Sequence, residues 1–298
     1  MDSVGQGGRL SRLTPEELRE VRRLHVHAGR KVDSLFSGDW RSAFRGRGME
    51  FEEVREYVPG DDVRHIDWNV TARTGEPFIK VFREERQLTV VLAVDVSGST
   101  HLGTGGRDGR TDKRLQSARI AAGLAYAGIR NRDKVGLLTF TDRVEHFIAP
   151  RASRGHVWNI ITHAYDASAA SRGTDLAEGL GFLAKTQRRK AVVVVVSDFL
   201  DGGKWDKVMG MLAAKHTVHA MLVHDRLDEG LGRLGLLEVV DAETGRLRIV
   251  HGRAASGLSV DERMTRLKRC GARAVAISTE DDAFKALHRH FQQSRGRR

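Results

Sequence analysis

The stretch Leu88-Thr-Val-Val-Leu-Ala-Val-Asp95-Val-Ser-Gly-Ser99 decides the fold. Its first half, Leu88 to Val94, is an apolar run broken only by Thr89. A strand that reads as solid Val and Leu, rather than as apolar and polar residues in turn, is buried on both faces, and this requires a mostly parallel sheet with helices on each side. Val192 to Val196 repeats the signature. Around these two runs, helical and strand patterns alternate. The spacing of Leu115, Ala118, Ala122, Ala125 and Ile129 predicts a helix over 112–130. Strands are expected at 135–140, 218–223 and 272–278, with helices at 157–165, 176–186, 205–214, near 261–269 and from Asp281. This is β-α-β order, so the expected fold is α/β: a Rossmann-like, doubly wound, mostly parallel sheet. In such sheets ligands collect beyond the carboxyl ends of the strands.

Upstream, Thr14-Pro-Glu-Glu17 supplies an N-cap hydroxyl, a proline at the first helical position and a glutamate that closes a capping box. Leu18, Val21, His25, Ala28, Val32 and Leu35 then form one apolar stripe that must dock on another surface. After Gly38 the chain becomes turn-rich, with Gly46 and Gly48 suited to tight backbone, Pro59-Gly60 to a type II turn, and Phe78 to Phe82 to a short strand. In this small, partly β module, Tyr57, Trp68 and Phe78 are expected to plug a core, and Asp61, Asp62 and Asp67 to hold turns. The organisation is therefore an N-terminal helix (1–37), a small module (38–86) and the α/β domain with a basic tail (87–298).

Composition excludes several classes. With 40% apolar residues over 298 positions, the chain can bury a sizeable core. No apolar run approaches the roughly 20 residues of a membrane span, and the N-terminus lacks the apolar stretch of a secretory signal, so a cytoplasmic protein is expected. Cys270 stands alone, which leaves no internal disulfide and no cysteine-built zinc cage, and it reads as a small buried hydrophobe. Two histidine pairs, His25/His27 and His288/His290, fall on predicted helices where residues two apart face different sides, arguing against a zinc site. The net charge of +11 lies entirely after Arg86, because residues 1–86 carry 16 basic and 16 acidic side chains. Five of the excess cations sit between Lys285 and Arg298. With 6% aromatics there is little surface for base stacking, so no specific nucleic acid is expected as a partner.

The chemistry concentrates where the first strand ends. Asp95, Ser97 and Ser99 place a carboxylate and two hydroxyls at i, i+2 and i+4 on one loop. The fold brings Thr174, in Arg172-Gly-Thr-Asp-Leu, and Asp198, directly after the Val-rich strand, to the same edge. One or two carboxylates with neutral hydroxyls suit a hard divalent cation, Mg²⁺ or alternatively Mn²⁺ or Ca²⁺, better than zinc or copper. Such a cation retains net charge and an exchangeable position that can accept a partner's carboxylate.

This pattern resembles the metal-ion-dependent adhesion site (MIDAS) of von Willebrand factor A domains. The resemblance implies that Asp95, Ser97, Ser99 and Thr174 are ligands or near ligands and that Asp198 acts through water. The upstream string from Arg45-Gly-Arg-Gly-Met-Glu-Phe-Glu-Glu-Val-Arg-Glu-Tyr-Val-Pro-Gly-Asp-Asp-Val-Arg-His-Ile-Asp-Trp68 through Phe82-Arg-Glu-Glu-Arg86 resembles the bacterial family called domain of unknown function 58. Membership implies association with MoxR-type AAA+ ATPases, as an adaptor or scaffold. Many members carry membrane-spanning helices upstream, and this sequence does not.

Competing signals are thin. No Gly-x-x-x-x-Gly-Lys-Ser/Thr loop occurs, and Gly230-Leu-Gly-Arg-Leu-Gly235 lacks the helix that a dinucleotide fingerprint must open. Asp-Val-Ser-Gly-Ser lacks the elbow of the α/β-hydrolases, and Ser97 stands where aspartyl-phosphate hydrolases need a second carboxylate. The expectation is a binding protein without enzymatic activity, with a metal-dependent hydrolase and a basic nucleic-acid-binding protein as the alternatives.

Overall fold

The computed structural model describes residues 14–35, 49–84, 87–101, 103, 111–166, 169–229, 236–240, 247–251 and 258–294. Gly46, Gly48, the Gly230–Gly235 string, most of the loop after His101 and the last four residues of the basic tail lie outside them. So do both boundaries of the module expected at 38–86. The chain divides into two compact units, one formed by Arg45–Leu88 and the other by Met1–Phe44 with Thr89–Arg298.

Helix α1 (Pro15–Leu35) starts as its sequence requires: the Thr14 side chain accepts from the Glu17 amide while Glu17 accepts from the Thr14 amide. The smaller unit contains β1 (Met49–Glu56), α2 (Trp68–Thr74) and β2 (Phe78–Glu84), with β1 antiparallel to β2. Its aspartates hold turns as expected. Asp61 pairs with Arg55, Asp62 caps the short 3-10 turn Val63–His65, and Asp67 caps α2. Gly60 at φ 110° completes the Pro59-Gly60 turn. The expected aromatic plug is only partly found. Trp68 is 70% exposed, because it opens α2 on the outer side of the Asp67 cap, and Ile79 is buried instead.

The larger unit runs β3 (Thr89–Asp95), α3 (Lys113–Arg130), β4 (Lys134–Phe140), β5 (Val144–Arg151), α4 (Arg154–Tyr165), α5 (Leu176–Thr186), β6 (Val192–Ser197), α6 (Trp205–Lys215), β7 (Thr217–His224), β8 (Leu236–Val240), β9 (Leu247–His251), α7 (Val260–Arg269), β10 (Arg273–Ser278) and α8 (Ala283–Gln293). Six strands form one sheet in the order β10-β7-β6-β3-β4-β5, parallel except for the β5 edge, while β8 and β9 pair as a separate antiparallel hairpin. The expected mixed α/β architecture with a mostly parallel sheet is therefore present. The chain turns back between β3 and β6, which places the topological switch point at their carboxyl ends.

Both sheet faces are covered. Val91, Ala93, Val193 and Val195 pack with Leu180, Leu183, Trp205 and Met209 on the side of α5 and α6. On the other side lie α3, α4 and α8, and α1 docks across these three through Val21, Leu24, Ala28 and Val32. His25 lies against Tyr126 and Trp158 while His27 meets Phe284, so the two rings do face apart. No helix among the described residues is long and apolar enough to cross a membrane.

Two tests follow from the packing. A Cβ added at Gly179 in α5 would lie 2.5 Å from Cγ of the buried Phe140 ring. Gly to Ala inside a helix ordinarily gains up to about 1 kcal/mol, but overpacking outweighs that gain here. Gly179→Ala is expected to lose about 1–2 kcal/mol in urea unfolding. His219 on β7 and His290 on α8 share a buried hydrogen bond, with Nδ1 and Nε2 2.9 Å apart. Burial and the nearby Arg273 hold His290 down to about 4, and burial with the His290 charge holds His219 well below its ordinary value. The folded protein thus keeps His290 neutral while the unfolded chain protonates near 6.5. This contribution to stability is complete above that pH and is lost as pH falls toward 4. A loss of about 2 kcal/mol is expected between pH 7.5 and pH 5, with a shallower dependence in His290→Gln.

Candidate metal centre

Asp95 is the last residue of β3 and is 1% exposed. Its Oδ1 accepts from the Ser97 amide at 2.9 Å, and its Oδ2 accepts from the Ser197 hydroxyl at 2.7 Å. Ser197 closes β6, and its oxygen accepts in turn from the Phe199 amide at 3.0 Å. Phe199 is fully buried at φ 52°, a left-handed conformation uncommon for an aromatic residue. It turns the chain sharply beside Asp198, so the strained residue sits where the donors gather.

The hydroxyl oxygens of Ser97 and Ser99 lie 3.2 Å apart. Asp198 is buried. Its Oδ1 accepts from the Leu200 amide at 3.2 Å. Thr174 is half-buried and its backbone is pinned on both sides: the Arg172 carbonyl accepts from Gly98, between the two serines, and the Asp175 amide donates to the Thr141 carbonyl. Glu145 on β5 fastens the approach by accepting from the amides of Ala170 and Ser171. Asp95, Ser97, Ser99 and Asp198 thus converge at the β3/β6 switch point, and the Thr174 segment is bonded to the same loop. The N-cap of α5 is Asp175, so the helix begins at Leu176 as its sequence pattern predicts.

Sequence reasoning missed three groups. Lys113, the first residue of α3, has a side chain 1% exposed, with Nζ 2.8 Å from Asp198 Oδ2 and 2.9 Å from Asp228 Oδ1. Arg263 of α7 is fully buried and donates to the Asp198 carbonyl. Asp225, also buried, accepts from the Thr279 hydroxyl. One signal for Lys113 existed, because a lysine in the first turn of a helix opposes the helix dipole and needs a compensating reason.

The electrostatics are uneven. Burial alone would raise the Asp198 carboxyl, but Lys113, the Leu200 amide and the Ser99 hydroxyl hold it below its ordinary value. Among the described residues no such cation faces Asp95. Burial and the Asp198 charge push it up to about 6, against the hydrogen bonds of Ser97 and Ser197. On this edge, among the described residues, four buried carboxylates (Asp95, Asp198, Asp225, Asp228) face two buried cations (Lys113, Arg263).

The donor set also suits such an ion. An Mg²⁺ octahedron with bonds of about 2.1 Å has edges of about 3.0 Å, close to the separation of the two serine oxygens. Among the described residues no three His, Cys, Asp or Glu side chains cluster as a metal site would need. Hydroxyls would therefore have to complete the shell.

A doubly wound, mostly parallel α/β sheet with carboxylates and hydroxyls gathered at its switch point defines a protein of the Rossmann-like α/β class. The chain belongs to the family described as protein of unknown function DUF58, which matches residues 53–261. An uncharacterized protein of Mycobacterium tuberculosis is 32% identical over 295 residues, covering 95% of this chain and 91% of that protein. Among solved structures, the conserved hypothetical protein BatB of Bacteroides thetaiotaomicron is similar at 14% identity and a TM-score of 0.48, covering 70% of this chain and 98% of that one. Proximal thread matrix protein 1 of the mussel byssus, described with a zinc-occupied MIDAS motif, is similar at 11% identity and a TM-score of 0.41, covering 70% and 47%.

Proposed function

We propose that the chain is a metal-dependent protein–protein interaction module. Mg²⁺, or another hard divalent cation, is held by Asp95, Ser97, Ser99, Thr174 and Asp198, and an acidic side chain of a partner fills its remaining position. The observation that carries this reading is the buried Asp95 carboxylate, pushed up by burial and by the Asp198 charge, on the loop where the hydroxyl oxygens of Ser97 and Ser99 lie 3.2 Å apart. When bound, the cation supplies a Lewis-acidic point charge. The chain's own residues would hold it in place: Ser197 and the Ser97 amide fix Asp95, and the Leu200 amide and Lys113 fix Asp198.

Binding rather than catalysis is favoured because the oxygens of Asp95, which an aspartyl nucleophile would need free, accept from Ser97 and Ser197. The partner we assign is a MoxR-type AAA+ ATPase or its client, with this chain as adaptor. The immobilised full chain is expected to retain the cognate ATPase in Mg²⁺ and to release it in EDTA. Equal recovery in both buffers would remove the cation from the mechanism, and no recovery in either would remove the ATPase.

A further inference from the structure

Among the proposed ligands, Asp198 is the one whose carboxylate already holds an ammonium. Lys113 starts α3, where the helix dipole opposes its charge, and its side chain is withdrawn from water. Both placements are unfavourable, so two carboxylates at 2.8 and 2.9 Å are needed to hold it there. Asp228 is itself fixed, accepting from the Asp225 amide at 3.0 Å. The result is a buried Asp198–Lys113–Asp228 bridge joining the end of β6, the start of α3 and the segment after β7.

The geometry points to Lys113 as the residue that sets the strength and ion selectivity of the cation site, an inference that rests on the cation reading above. With the Lys113 ammonium 2.8 Å from Oδ2, Asp198 is left with Oδ1 to offer a cation, short of a two-oxygen grip. Ca²⁺ draws much of its affinity from bidentate carboxylates and a high ligand count, whereas Mg²⁺ keeps waters and needs fewer protein oxygens. The ammonium also repels any cation at the neighbouring donors. Lys113 therefore holds the site to weak, exchangeable binding and disfavours Ca²⁺ more than Mg²⁺. A site that must release its ion or its partner is served by such a built-in competitor.

The test titrates MgCl₂ and CaCl₂ separately into the full chain by calorimetry, comparing the native protein with Lys113→Met/Asp228→Asn. This double substitution removes one charge of each sign and releases Asp198 Oδ2, while Oδ1 still accepts from the Leu200 amide. Ca²⁺ affinity is expected to rise about tenfold or more, and Mg²⁺ affinity by less. A purely structural lysine would make the variant bind both ions more weakly, and equal or weaker affinity in a variant that unfolds cooperatively overturns the inference. Binding by the variant alone supports the role of Lys113 while removing the resident cation from the proposed function. Binding by neither protein removes both. Should the double variant fail to fold, Asp228→Asn carries the test: Lys113 then presses on Asp198 alone and affinity for both ions falls by about threefold, while unchanged affinity overturns the inference.

Discussion

Lys113→Met is expected to lower the free energy of unfolding by about 3–5 kcal/mol, because it strands two buried carboxylates that the lysine now neutralises. Asp198 and Asp228 each lose an ionic hydrogen bond of under 3 Å, and neither side chain has water to replace it. Asp198 would retain the Leu200 amide, which is too weak to offset a full charge. Restoring the balance with Asp228→Asn should recover a substantial part of the loss, since one uncompensated carboxylate then remains instead of two. Urea unfolding of the single and double variants in chelator measures both effects. A single variant within about 1 kcal/mol of the native protein would mean that water reaches the pair and that the bridge is not the closed feature described.

Asp95→Asn should separate stability from binding. Asn keeps the shape but carries no charge, so the repulsion from Asp198 that raises the Asp95 carboxyl is relieved. In metal-free buffer the variant is expected to be as stable as the native protein or up to about 2 kcal/mol more stable, an effect typical of sites strained for function. One amide group cannot both accept as Asp95 does and neutralise a cation, so Mg²⁺ affinity should fall at least about a hundredfold. Calorimetry and thermal unfolding on the same preparation check the two signs. Native-like Mg²⁺ binding by the variant would remove Asp95 from the site.

Much of the architecture was legible because it follows from local pattern. The uninterrupted Val192–Val196 run could only be a strand covered on both faces, and Asp95 and Asp198 sit at strand ends whose adjacency follows from the fold type. The edge strand β5 was not legible, since Val144 to Arg151 mixes charged, aromatic and proline residues and faces water on alternate positions. Helix α2 was missed for a different reason. Seven residues carry too little periodicity to register, and the Asp67 cap that starts them reads equally well as a turn. Arg263 lay beyond sequence reasoning, and Lys113 was marked only by its first-turn position, because a cation on a helix is ordinarily solvated. Only the tertiary positions of Asp198 and Asp228 show why these two are not.

The docking of α1 has a practical corollary for anyone cutting the chain into fragments. A piece beginning at residue 87 would look like the whole α/β domain, yet it would leave bare the apolar ground that Val21, Leu24, Ala28 and Val32 cover, and it should be sticky in solution. Met49 pairs with Glu84, so the intervening hairpin unit departs and returns through adjoining strand ends. A short flexible splice across those ends, with residues 14–35 kept, is the economical route to a minimal domain.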